Sequence, residues 1–201
     1  LGDNELFKNL KTLLPIGEIV EKIDKQIWVI YQDKKGNHWF GSNGQGLYSY
    51  DGKTLKLFTT KDGLVNNSIR SLQEDKFGHV FIGTPQGISK FDGTVITTLQ
   101  VNKSSSNQWK LQSDDLWFSS YAKEVYRYDG ESLFELTLPP QNLIEIFGTE
   151  PIGNRNNSPY QVFGIDKDSK GNLWLGTAEA GAFRYDGQSF LWFPEKELST
   201  L

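Results

Sequence analysis

Residues 33–52 read DKKGNHWFGSNGQGLYSYDG, and residues 168–187 read DSKGNLWLGTAEAGAFRYDG. Both run from an Asp-x-x-Gly turn through an aromatic residue to Tyr-Asp-Gly at the same offset. Asp accepts hydrogen bonds from backbone amides across such a turn, and Gly supplies the positive φ that other residues resist. The closing signal recurs as Tyr50-Asp51-Gly52, Phe91-Asp92-Gly93, Tyr128-Asp129-Gly130 and Tyr185-Asp186-Gly187. Eleven or twelve residues before each aspartate stands an aromatic anchor: Trp39, Phe81, Trp117 or Trp174. Asp75 to Phe81 repeats the opening turn, whereas the third copy shortens it to Gln112-Ser113-Asp114-Asp115 ahead of Leu116-Trp117.

Between these turns each unit parses into four short strands. They are predicted at 27–32, 38–42, 46–50 and 54–59, then at 69–74, 79–84, 87–91 and 94–99. The third set is 108–112, 115–120, 124–128 and 132–137, and the fourth 161–166, 172–177, 181–185 and 189–193. Four strands per unit of roughly 40 residues predict an all-β propeller, because one such sheet cannot bury both faces alone and stacks on its neighbours. The expected layout is a single domain over 1–201, with blades at 26–62, 63–100, 105–138 and 160–194. Residues 139–159, with Pro139, Pro140, Pro151 and Gly153, read as a loop insertion between the third and fourth blades.

Composition agrees. The 201 residues are 13% aromatic with 20 glycines, and the only alanines are Ala122, Ala178, Ala180 and Ala182, which disfavours helix. With no cysteine, the chain can build no disulfide, thiol nucleophile, Cys-ligated zinc or iron–sulfur cluster. A net charge of −4, with Arg70, Arg127, Arg155 and Arg184 as the only arginines and no basic cluster, argues against nucleic acid. No apolar run reaches the roughly 18–20 residues that span a bilayer, and residues 1–14 lack a signal-peptide profile. The chain contains no Met and starts at Leu1, so it reads as a trimmed segment, with a signal or lipid anchor expected upstream.

The runs QDKKGNHWFGSNGQGLYSYDGKTLKLFTTKDGLVNNSIRSLQEDKFGHVFIGTPQGISKFDG and DKDSKGNLWLGTAEAGAFRYDGQSFLWF resemble the two-component regulator propeller repeats. The resemblance covers most of residues 27–193. It implies a bacterial propeller of sensor, secreted or lipid-anchored type, in the periplasm or at the cell surface, and a role in recognising saccharides. This chain has fewer blades than the large sensors and no signalling domain.

Residues 3–14 place Leu6, Leu10, Leu13 and Leu14 on one stripe, with Asp3 as N-cap and Pro15 as stop, and predict a short helix. Residues 16–23 then read as a strand without a blade of its own, the helix and this closing strand occupying 1–25. Its companions are expected from sequence beyond Leu201, completing a fifth blade, with the fourth blade or another chain as alternatives. An edge left open there would invite self-association.

Because the anchors recur in every unit, Trp39, Phe81, Trp117 and Trp174 read as packing, and Asp51, Asp92, Asp129 and Asp186 as turn braces. Asp166 to Gly171 superficially resembles a calcium loop, but Lys170 holds a ligand position and no closing Glu follows, so no metal and no cofactor are expected. Ligand-binding candidates come from positions that are equivalent in the repeat yet chemically different. Trp28, Arg70, Trp109 and Phe163 share one place on the innermost strand, two residues before Ile30, Leu72, Leu111 and Ile165. Together they offer aromatic faces for sugar rings and a guanidinium for a carboxylate or hydroxyl, against the alternative that parity buries them between blades. Tyr121 and the Asn-rich loop at 154–157 are further loop candidates.

No catalytic constellation is evident. A streptogramin-lyase-like histidine base is not matched by His38 and His79, which occupy different repeat positions, and Arg127 and Arg184 stand a blade apart, unlike a sialidase arginine cluster. The expected function is non-catalytic recognition of an oligosaccharide or peptide. A structural propeller binding another protein is the alternative, and a lyase or glycoside hydrolase a more distant one.

Overall fold

The computed structural model describes residues 16–103, 109–119, 124–144 and 158–193. The helix expected at 3–14, the loop at 154–157 and Tyr121 lie outside the described residues. The chain divides into two compact units, Leu1–Ile82 with Ile88–Thr98, and Gly83–Gly87 with Leu99–Leu201.

All regular elements longer than one turn are strands, in four antiparallel sheets among the described residues. The first contains β1 (Glu18–Ile19), β2 (Ile27–Gln32), β3 (His38–Ser42), β4 (Leu47–Tyr50) and β5 (Leu55–Phe58) in the order β1-β5-β4-β3-β2. The second runs β6 (Ser71–Glu74), β7 (Val80–Thr84), β8 (Gly87–Phe91) and β9 (Ile96–Thr98) in sequence order. The third holds β10 (Leu116–Ser119), β11 (Glu124–Tyr128) and β12 (Leu133–Thr137). The fourth holds β13 (Val162–Lys167), β14 (Leu173–Thr177), β15 (Ala182–Tyr185) and β16 (Phe190–Phe193).

The repeated turns account for this order. Asp33 Oδ1 accepts from the Lys35 and Asn37 amides at 3.0 and 2.8 Å, while Oδ2 accepts from Asn37 Nδ2 at 2.8 Å and Trp39 Nε1 at 2.9 Å. Asp168 repeats the arrangement with Lys170, Asn172 and Trp174, all four bonds at 2.9 Å. One carboxylate thus folds the hairpin and orients the anchor indole. Asp75 differs because the Phe81 side chain has no N–H to offer, and His79 Nδ1 lies 2.7 Å from Asp75 Oδ2 in the place of Asn37 and Asn172. The second hairpin is equally local: Asp51, Asp92, Asp129 and Asp186 each accept two backbone amides on Oδ1. The following Gly52 has φ 92°, where a side chain would be strained.

The third sheet departs from the pattern. A strand was expected at 108–112, but residues 109–112 form no ladder, and residues 104–108 lie outside the described residues. The shortened turn explains it. Asp115 is spent on a buried pair with Arg127, Nε to Oδ2 at 2.7 Å and Nη2 to Oδ1 at 3.1 Å, and it also accepts the Gln112 amide at 2.9 Å. Lys167 Nζ then donates to the Gln112, Ser113 and Asp115 carbonyls at 3.0–3.2 Å, tying this turn to β13. On the other edge, Val101 makes a parallel bridge to Leu133.

The strand expected to start a further blade joins the first sheet instead. Glu18 and Ile19 pair with Leu57 and Lys56, covering the edge of β5 that would otherwise be open. Ile16 packs on the first core, and Gly17 N–H donates to Asp62 Oδ1 at 3.0 Å, which fixes the approach. A Cβ at Gly17 would stand 2.7 Å from Phe58 Cε1, so the close passage needs glycine.

Each unit has its own core. In the first, Trp39, Leu47, Phe58, Ile69, Val80 and Ile82 pack together. In the second, Trp117, Val125, Phe134, Leu173, Leu175 and Phe183 do so. Adjacent sheets are latched by polar groups as well: Glu74 Oε2 accepts from Tyr31 Oη at 3.1 Å and the Lys34 amide at 3.0 Å, and Lys34 Nζ donates to the Asp75 carbonyl at 2.8 Å.

Candidate functional site

β2 and β13 carry the same irregularity. In β2 the ladder pairs Ile27 with Ser42 and Val29 with Gly41, leaving Trp28 as the extra residue of a β-bulge. In β13 Val162 pairs with Thr177 and Gly164 with Gly176, leaving Phe163 in the same situation. A bulge re-aims a side chain out of the ladder, and here both residues are surface-facing: Trp28 is 53% and Phe163 48% exposed. Opposite the first bulge, Gly41 is obligatory for packing, since a Cβ there would fall 2.4 Å from Val29 Cγ1 and 2.6 Å from Ile69 Cγ2.

Arg70, immediately before β6, places its guanidinium carbon 4.2 Å from the centre of the Trp28 ring system. Its Nη2 donates to Asn43 Oδ1 at 3.0 Å and its Nη1 to the Ile69 carbonyl at 3.3 Å. Asn43 is held in turn: its amide donates to the Gln26 carbonyl at 3.0 Å, and it bridges Ser68. The guanidinium is thereby fixed in direction while the indole stays accessible, with a cation–π contribution of about 0.5–1 kcal/mol at such an exposed place. Trp28 and Ile30, the latter 65% exposed, share one face of β2. An aromatic surface beside a fixed cation can stack on a sugar ring and hydrogen-bond a carboxylate or hydroxyl.

Trp109 has a different environment. It stacks on Trp117 at 5.6 Å, meets Tyr185 edge-on at 5.5 Å and Phe190 at 4.7 Å, and donates Nε1–H to the Thr137 carbonyl at 3.2 Å. Tyr185 Oη donates to the Trp109 carbonyl. Its indole is therefore built into the aromatic packing of the second unit. Trp28 and Arg70 come together in the first unit, while Trp109 and Phe163 belong to the second.

The anchors Trp39, Phe81 and Trp117 are buried, and Trp174 is half-buried and stacked on Phe193 at 5.2 Å. Asn43 and Gln26, which orient Arg70, were not read from the sequence. Their signal is weak: Asn43 stands where the other copies have Pro85, Tyr121 and Ala178. Next to this site, burial together with Glu74's hydrogen bond and charge pushes the Tyr31 hydroxyl up to about 12, so it remains a donor at neutral pH. His38 lies beside Phe40 at 6.5 Å and His79 against Asp75. Among the described residues no group of three His, Cys, Asp or Glu could hold a metal ion, and no helix is long and apolar enough to cross a membrane.

The two-component regulator propeller family model matches residues 22–44 and 63–86. A 52-residue stretch is 36% identical to Histidine kinase P4 of Formosa agariphila, covering 26% of this chain and 4% of that protein. Among solved structures, the extracellular domain of BT3049 from B. thetaiotaomicron, described as a hybrid two component system, superimposes with a TM-score of 0.61 at 17% identity. The match covers 89% of this chain and 25% of that one. A streptogramin B lyase gives 0.59 at 16% identity, covering 88% of this chain and 58% of the lyase. At these identities the likeness concerns the fold. Four sheets of short antiparallel strands and the phased Asp-Gly turns make this chain a β-propeller fold, in which residues 22–44 and 63–86 match the two-component regulator propeller model.

Proposed function

We propose that the chain is a non-catalytic, sensor-type recognition module that works in the periplasm or at the cell surface, and that Trp28 and Arg70 bind a saccharide or peptide ligand. The observation that carries this reading is the bulge that turns Trp28 outward under a guanidinium held by Asn43. A side chain needed only for packing gains nothing from such exposure, whereas ligand-binding residues on rigid scaffolds do. The extracytoplasmic setting is supported by the extracellular relative on the same fold and by the matched segment in a histidine kinase.

Thermal-shift and calorimetric screening of the chain against oligosaccharides and short peptides tests the proposal. A ligand should raise Tm, and Trp28→Ala and Arg70→Ala should each weaken it by about tenfold. Shifts indifferent to both substitutions, or no shift with any ligand, would overturn it. A protein partner is the second reading, favoured by the exposed apolar pair Trp28 and Ile30 on one strand face. Under that reading Ile30→Ser should impair capture as strongly as Trp28→Ala, while a small sugar should leave Tm unchanged.

A further inference from the structure

A cleft of about 500 Å³ opens in the first unit, and neither Trp28 nor Arg70 lines it. Its walls come from the start of β1, the turn between β3 and β4, Leu57 of β5, the 3-10 turn at Thr60–Asp62, and Asn67. The volume falls within the roughly 300–1,000 Å³ of small-molecule sites.

Asn67 is the strut of this cleft. Its carbonyl accepts from the Gly44 amide at 3.2 Å and the Gly46 amide at 2.9 Å, and its Oδ1 accepts from the Thr60 amide at 2.9 Å. Three bonds hold the side chain and two turns in place, yet Asn67 Nδ2 has no partner among the described residues. The same holds for the Gln45 side-chain amide, the Thr60 hydroxyl, the Lys61 ammonium and the Glu18 carboxylate, all on the lining. Asp62 is different: its oxygens accept from Gly17 N–H at 3.0 Å, Thr59 N–H at 2.8 Å and Thr59 Oγ1 at 3.2 Å.

This lining selects by elimination. The lining carries Glu18 and Asp62 against the single cation Lys61, so an anion gains little. Among the described residues Leu57 is the only sizeable apolar side chain on the walls, so an apolar ligand would strip water from polar groups without replacing their hydrogen bonds. What remains is a neutral ligand with many hydroxyls: planar amides of Asn and Gln, a hydroxyl and an ammonium offer donors and acceptors to it, and Leu57 offers a surface for ring C–H groups. We propose that this cleft is a second binding site, taking a short neutral saccharide independently of Trp28 and Arg70.

Titration of the ¹⁵N-labelled chain with cellobiose, maltose and lactose, followed by amide chemical shifts, tests it, with triglycine and sodium phosphate as competing chemistries. At least one disaccharide should shift the Gly44, Gln45, Thr60 and Lys61 amides and saturate in the millimolar range. Asn67→Asp keeps the oxygen that caps Thr60 and removes the amide donors, so it should weaken binding by about tenfold. Gln45→Ala, an exposed change, should also weaken it, while Trp28→Ala should leave it unchanged. The proposal is overturned if no disaccharide moves these amides, if triglycine or phosphate moves them more strongly, or if both cleft variants retain full affinity. Loss of binding in Trp28→Ala alone would point back to the first site, so failures of the two readings are distinguishable.

Discussion

At Asp33 and Asp75 burial pushes the carboxyl up, but hydrogen bonds from Trp39 and Asn37 in one case and His79 in the other more than offset it and hold both below the ordinary range. Asp92 sits at about 2, mainly through the Val95 and Thr94 amides. Asp168 is lowered chiefly by the Trp174 and Asn172 side chains. A carboxyl that is more acidic folded than unfolded contributes stability above its unfolded pKa, and that contribution fades as the pH falls through the folded value. Thermal unfolding followed by circular dichroism should therefore give a steady Tm from neutral pH down to about 5 and a falling one from about 4 towards 2. His79→Asn restores the residue type of Asn37 and Asn172 and should change stability by less than about 0.5 kcal/mol, whereas Asp33→Ala, which strands the buried Trp39 N–H, should cost about 2 kcal/mol in urea unfolding.

The same position in different sheets does different work, and the third sheet shows it most clearly. Arg127 is opposite Trp117 in the ladder, its side chain and that of Asp115 are each 1% exposed, and the guanidinium also lies 5.6 Å from the Phe134 ring centre. Removing one partner leaves a buried charge, so Asp115→Ala should destabilise by about 3–5 kcal/mol, and Asp115→Leu combined with Arg127→Met by much less. Gly41→Ala should cost about 1–3 kcal/mol through overpacking against Val29 and Ile69. Most strands were legible in the sequence because their determinants are local: Asp51 and Gly52 set a hairpin without help from afar. The partner of β1 was not, since pairing with β5 depends on Asp62 and Phe58, distant in the chain. Nor were the bulges at Trp28 and Phe163, because the burial of β2 alternates straight through the irregularity. Another repeated device was missed for its modest appearance: Ser42, Thr84 and Thr177 each donate a hydroxyl to the carbonyl of Gly46, Gly87 or Gly181 across the next turn.

On the scale of the whole molecule, stability comes from carboxylate turns and aromatic packing, with neither sulfur amino acid involved. Tm should therefore be the same with and without reductant, and peroxide should add no methionine sulfoxide to the intact mass. With a pI near 5.3, light scattering should show greatest self-association around that pH, where net repulsion vanishes. The bulges bear on how such a chain can change over generations. A surplus residue at Trp28 lies outside the ladder contacts that Val29, Gly41 and Ile69 make, so it can be exchanged with little penalty to folding. Under the proposed ligand reading, recognition and foldability are uncoupled at that position, and the side chain there can vary while the same scaffold is kept.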